Sequence, residues 1–367
     1  MPKQPKAISM TFVLGMLFTL IALVAIVALL RLKSLADSTT QYAGVGNTAP
    51  SVDTITVLDG ETSADVTLPA LGLTVNEGLM KDVTITGTVT DLNGFLDLDS
   101  IDIYVHRSDK MGEPSGSTLP VACTEDDNDC YYANVTSFTQ TGTNTATFSV
   151  VIAVANYIDP TDPGSPNAAL TWTALGIVND NNAEWGYATA SFEVQSLAAF
   201  AILPGTVNYG SLSLDAYSSQ KTVRFYNTGN RDVQSEVKAD AAMHSNLSGF
   251  ADIPTNNVRF THDDGVTFAN ATGVTTNDQT LAICLPQQTT DGAGGITSVP
   301  SYFALHMPAS GVNGVYQNVL TFTATASGNP VCSTQVPALN CGAHPDDPEC
   351  QGPVGLRADP VGELSLR

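Results

Sequence analysis

Residues 10–30 (MTFVLGMLFTLIALVAIVALL) carry no charged side chain, and nothing later in the chain repeats that composition. Lys3 and Lys6 precede the run; Arg31 and Lys33 come after it. At about 1.5 Å per helical residue such a segment reaches about 31 Å, the depth of a bilayer core. The remainder of the chain would then fold on one side of a membrane. Three readings stay open. An uncleaved signal anchor needs only length and apolarity, and both are present. A cleaved signal finds a small-x-small pattern at Ser34-Leu35-Ala36, but Arg31 and Lys33 interrupt a region that is normally uncharged. A pilin-like helix finds a Gly at Gly15, yet Leu20 stands where a glutamate is required. The expectation is an anchor over 10–30, with a cytoplasmic segment 1–9.

Basic residues are nearly balanced across the run, so charge counting alone does not orient it. The formal net charge of −22 does, since it leaves no basic face for nucleic acid and would be repelled by anionic lipid. Six cysteines in a β-patterned chain suit an oxidising compartment. The sequons at Asn134, Asn246 and Asn270 agree with it, although short sequons arise by chance in an Asn/Thr-rich chain. The expected location is the cell membrane, single-pass, with the bulk of the chain extracellular.

Residues 36–50 are small, polar and unpatterned, so 31–50 is expected to be a stalk. From residue 51, short β-branched runs alternate with turn clusters: 53–58, 82–90, 100–106, 145–153, 170–178 and 187–194. In 82–90 (DVTITGTVT) the alternation sets Val83, Ile85, Gly87 and Val89 on one face and threonines on the other. A second series covers 200–203, 206–209, 221–226, 233–239, 279–285, 301–307 and 315–323, with a turn at Asn227-Thr228-Gly229-Asn230 where Gly and Asn tolerate positive φ. No convincing helical stripe interrupts these runs. The expected fold is all-β: two tandem antiparallel sandwiches, 51–196 and 197–327, preceded by the transmembrane helix and followed by a Cys/Pro/Gly-rich tail, 328–367.

The segments TGTVTDLNGFLDLDSIDIYVHR, YIDPTDPGSP and ALTWTALGIVNDNNAEWGYATASFEV resemble Ig-like domains repeated in prokaryotic cell-surface proteins. LPGTVNYGSLSLDAYSSQKTVRFYNTGNRDV and PASGVNGVYQNVLTFTA are similar to Hydin-type Ig-like domains. The resemblance implies a tandem sandwich with a structural or binding role and no activity.

Asp91, Asn93, Asp97 and Asp99 fall between two predicted strands, and Asp180 falls in Asn179-Asp180-Asn181-Asn182 between two later ones. In an Ig-type topology both connections emerge at one pole. Clustered carboxylate and amide oxygens on a Gly-containing loop are what calcium needs, at six to eight ligands. The same residue types are also the ordinary turn formers of an acidic domain. Asp159, Asp162 and Glu77 would sit at the opposite pole. Cys123 and Cys130 bracket a short polar stretch and are expected to form a loop disulfide. Cys284, Cys332, Cys341 and Cys350 allow three pairings, with Cys284–Cys332 and Cys341–Cys350 preferred because they pin the tail. With His344 the tail set resembles zinc ligands, but no CxxC pair supports that. The five histidines neighbour no nucleophile motif, so no enzyme is expected. Trp172 is expected to plug a core.

These features favour an anchored extracellular structural or adhesive protein, with an unidentified glycan or protein ligand and calcium as the candidate cofactor. The alternative is a self-assembling filament subunit whose N-terminal helix packs with its copies. An accessory binding module of a secreted enzyme has the least support.

Overall fold

The computed structural model describes residues 10–33, 46–67, 72–116, 118–125, 128–289 and 298–326. It divides into two compact units, Met1–Asn47 and Thr48–Arg367. In the first, α1 (Met10–Lys33) has side chains described at Met10 and 14–27, all of them exposed. Its one hydroxyl in that stretch, Thr19 Oγ1, donates back to the carbonyls of Gly15 and Met16, at 2.9 and 3.0 Å. Taking the described residues alone, no helix is long and apolar enough to cross a membrane. The expected span, 10–30, lies partly outside the described side chains.

The second unit is predominantly β, and every pairing between its named strands is antiparallel; the isolated bridge Leu73–Val194 is parallel. Its first half contains β1 (Ser51–Asp59), β2 (Lys81–Thr90), β3 (Leu98–Arg107), β4 (Cys130–Val135), β5 (Thr139–Gln140), β6 (Thr145–Val154), β7 (Trp172–Asp180) and β8 (Trp185–Phe192). They form two sheets, ordered β1-β2-β6-β5 and β4-β3-β7-β8. One apolar core draws on both, through Val83, Ile85 and Val89 of β2, Ile101 and Ile103 of β3, and Trp172 of β7. Each such side chain, fully buried, contributes about 1.5–3 kcal/mol. The period-two expectation for β2 therefore holds. Gly87 has its own reason: a Cβ there would meet the Thr54 carbonyl oxygen at 2.2 Å and the Phe148 ring at 2.6 Å.

The second half contains β9 (Phe200–Leu203), β10 (Lys221–Asn227), β11 (Val233–Ala239), β12 (His244–Ser245), β13 (Val258–Thr261), β14 (Thr272–Gly273), β15 (Gln279–Leu285), β16 (Ser298–Leu305), β17 (Tyr316–Gln317) and β18 (Leu320–Ala326). Its main sheets are β14-β13-β16-β10-β9 and β15-β11-β18, which share a separate core around Phe225, Phe303, Leu281 and Ile253. Three expectations need correction. Residues 206–209 form no strand, β4 and β13 were not anticipated, and the run 315–323 is split by a break between β17 and β18. Helical structure in the second unit is limited, among the described residues, to three-residue 3-10 turns. The tail 328–367 lies outside the described residues.

Candidate functional site

Leu98 of β3 pairs with Asp180 of β7, so the β2–β3 connection and the β7–β8 turn are neighbours by register. Asp91 leaves β2 and forms an Asx turn. Its Oδ1 accepts the Asn93 N–H at 2.7 Å, and its carbonyl accepts the Gly94 N–H at 3.1 Å. Gly94, at φ 118°, then lets the chain double back into the 3-10 turn Phe95–Asp97. Opposite, Asp180 Oδ1 accepts the N–H groups of Asn182 and Glu184, at 2.8 and 2.9 Å. Asn181 Nδ2 donates to the carbonyls of Leu96 and Asp97, which ties the two loops together. Asn182 Nδ2 lies 3.3 Å from both carboxylate oxygens of Asp97.

Asp91, Asp97 and Asp180 each bring a carboxylate oxygen within 4.8 Å of the others. Asp91 and Asp180 are buried and Asp97 is half-buried. Asp91 is 0% exposed, and its Oδ2 finds no hydrogen-bond partner among the described residues. Burial pushes the Asp91 carboxyl above its ordinary range; the Asn93 N–H works against this, while the charges of Asp97 and Asp180 add to it. Chemically this is a compact set of hard oxygen donors.

The structure thus gathers three of the five expected oxygen-donor residues directly. Asn93 sits beside them, its Oδ1 accepting the N–H of Thr48 at 2.8 Å. Asp99 does not join. A bulge between Leu98 and Ser100 leaves it exposed on the strand, where its Oδ2 accepts the Ser100 hydroxyl. Asn182, within the quoted motif but not singled out by sequence, is at the cluster.

Asp159, Asp162 and Glu77 lie at the other pole, where Asp159 and Glu77 bond to the second half and Asp162 bonds within the first. Arg107, which sequence reading passed over, pairs with Asp109, Asp129 and Asp159. Gln287 Nε2 donates to Asp159 Oδ1 and to the Tyr157 carbonyl, at 2.9 and 2.8 Å. Glu77 accepts the Thr228 hydroxyl, and Asp162 accepts that of Ser196. The turn 227–230 plugs this junction. Asn230, 0% exposed, donates from Nδ2 to the Gln195 carbonyl and accepts the Leu197 N–H on Oδ1, at 2.9 and 2.6 Å. Neither Gly229 nor Asn230 has positive φ, contrary to expectation. Gly229 is required by contact instead, since a Cβ would fall 2.1 Å from the Leu197 carbonyl oxygen.

Cys123 and Cys130 form a disulfide, as anticipated. The preceding excursion covers a small satellite core of Met111, Leu175 and Ile177 on the outer face of the β3–β7 sheet. Cys284 is also disulfide-bonded; Cys332, Cys341, Cys350 and His344 lie outside the described residues. Asn134, Asn246 and Asn270 are the expected glycan acceptors; Asn270 is exposed, and Asn134 Nδ2 donates to Asp102. Trp172 is the core plug expected, packed beside Tyr131 and Phe192, its Nε1 donating to the Asp159 carbonyl. On the second half, a cleft of about 370 Å³ is lined by Tyr217, Gln220, Arg259, Thr261, Phe268 and Tyr302, among others. Tyr217 is exposed there and stacks on His306, and the Arg259 guanidinium lies over the Phe268 ring.

No family model matches this chain, and no curated protein does. Among solved structures, similarity is found to a chain of a chaperone–tip adhesin complex of CFA/I fimbriae, at 11% identity and a TM-score of 0.24, covering 78% of this chain and 88% of that one. Red sea bream transglutaminase gives 8% identity and a TM-score of 0.21 over 74% of this chain. The secreted serine protease VesC from Vibrio cholerae gives 12% and 0.16 over 69%. The chain spans 29% of the transglutaminase and 49% of VesC.

Proposed function

We propose that this chain is a membrane-anchored extracellular protein that displays two Ig-like sandwiches as one stiff element, in a structural or adhesive role. The observation that carries the reading is the junction pole, where Asn230, Gln287 and Thr228 bind the first half through polar contacts. A display protein benefits from halves that do not swing, because a rigid presenter spends less entropy on ligand capture. Support for the anchor comes from α1, whose described side chains are apolar around the whole circumference apart from Thr19, with its hydroxyl bonded inside the helix. In this reading the cleft beside Tyr217 and Phe268 is the adhesive contact, since exposed aromatic faces beside polar groups suit glycan or protein ligands.

Membrane fractionation with protease shaving of intact cells, combined with N-terminal mass analysis, tests the proposal. The expected result is a membrane-bound chain that starts at Met1 and is cut from outside. Processing after Gly15 would favour the filament subunit instead. Cleavage after Ala36, with release into the medium, would overturn the anchor.

A further inference from the structure

We propose that Asp91, Asp97 and Asp180 form a calcium site that locks the β2–β3 connection to the β7–β8 turn, at the pole of the first sandwich that also holds Thr48. The cluster of acids alone would not carry this. The second observation is Asp91 itself, which is fully buried with an Oδ2 that lacks any hydrogen-bond partner among the described residues. A buried carboxylate oxygen left bare carries an uncompensated desolvation penalty. Here the charges acting on it are also like charges, from Asp97 and Asp180. A bound cation removes both penalties at once.

The donor type and spread of the set suit calcium. Oxygens mutually within 4.8 Å fit on one sphere of the calcium–oxygen distance, about 2.3–2.6 Å, where opposite ligands stand up to about 5 Å apart. Magnesium, at about 2.0–2.1 Å, needs a tighter and near-octahedral set. Zinc and copper favour nitrogen and sulfur donors, and this set supplies neither. Asn182 completes the cage from the protein side. Its amide already lies at 3.3 Å from both Asp97 oxygens, and turning it end for end directs Oδ1 inward. Water fills the remaining positions, as is usual for calcium.

The location gives the site its consequence. Asn93, bonded to Asp91 Oδ1 through its N–H, also receives the N–H of Thr48, the first residue of the β unit. Fixing Asp91 therefore also fixes the start of that unit. Calcium would act as a stiffener at the loop pole, not at the junction between the halves, which already has its own side-chain ties. This inference does not depend on the surface-display reading, and a failure of either leaves the other standing.

Calorimetric titration of the metal-stripped full chain in detergent with calcium chloride is the test. One equivalent is expected to bind. Asp91→Asn, which keeps the Oδ1 acceptor of the Asx turn, is expected to lower affinity at least tenfold, and Asp97→Asn, at a half-buried position, to do the same without touching the buried pair. Circular dichroism of both variants establishes that they are folded. The absence of saturable binding up to millimolar calcium would overturn the site. So would calcium binding unchanged in both variants, and magnesium binding as tightly as calcium would overturn the assignment of the ion.

Discussion

The two poles of the first half both collect carboxylates, buried at Asp59 and Asp91 and exposed at Asp109, and treat them in opposite ways. At the junction pole, Asp109 is held below the ordinary carboxylate range by its hydrogen bond to Arg107. Asp59 is also held low there: burial works against it, but Lys81 and the N–H groups of Thr62 and Glu61 outweigh burial. At the loop pole, Asp91 is pushed up by burial and by its acidic neighbours. The residue types are the same, and what differs is the counter-charge. One pole carries its cations as side chains. The other has no basic side chain among the described hydrogen bonds and ion pairs of Asp91 and Asp97, and in the proposal above calcium takes that role.

The sharpest way to break this contrast is to remove the side-chain cation. Arg107→Met takes the guanidinium from Asp109 and Asp159, leaving Asp159 only the Gln287 amide, while Asp129 keeps Lys110 at 2.6 Å. Loss of one partner of a buried ion pair costs about 3–5 kcal/mol, so the urea midpoint should fall accordingly, to be read by fluorescence. A midpoint within error of the parent would mean that the junction is not held by charge. Asn230→Ala tests the neutral part of the same pole. It strands the Gln195 carbonyl and the Leu197 N–H, at a loss of about 3 kcal/mol in total, and should open residues 195–199 to limited proteolysis.

Beside the junction pole, where Cys130 pairs with His106 next to Arg107, the Cys123–Cys130 bond closes a short loop and is expected to contribute about 2 kcal/mol. The double serine variant should lose that much in urea while calcium affinity stays unchanged. An effect on calcium would show that the excursion over Met111 supports the loop pole.

The smallest effect separates the poles by pH. Asp59 and Asp109, held low when folded, stabilise the protein above the ordinary carboxylate range, and that stability is lost as pH falls through their folded values. Asp91, held high, works in reverse. In calcium-free protein its penalty is full above its raised folded value and fades as pH falls towards the ordinary one. Equilibrium unfolding in EDTA between pH ~7 and pH ~4 should therefore show Asp91→Asn more stable than the parent at neutral pH, with the gap closing on acidification. A gap that widens would reverse the assignment.

Much of this was legible in the residues. Alternation in DVTITGTVT marked β2, and the topology expected from such strands brought 91–97 and 180 to one pole. Asp99 misled because β3 begins at Leu98, two residues before the run expected at 100–106, so Asp99 lies at a bulge within the strand and not in the loop. The strand β4 was hidden because CYYANV comes directly after an acidic loop that reads as a turn. The junction was the least legible part. Asn230 and Gly229 look like a local turn in sequence, and only the Leu197 carbonyl lying against Gly229 explains them. Arg107 offered one signal, a lone basic residue closing an apolar strand in a chain with 14 basic against 36 acidic residues.

The central claim, that the loop pole lacks a cation which calcium supplies, is tested most directly by melting the full chain and Asp91→Asn at neutral pH, each in EDTA and in calcium. The account predicts that the variant melts higher than the parent in EDTA, that calcium raises the parent, and that the same calcium concentration raises the variant by clearly less. A parent indifferent to calcium, or a variant raised as far as the parent, would contradict it.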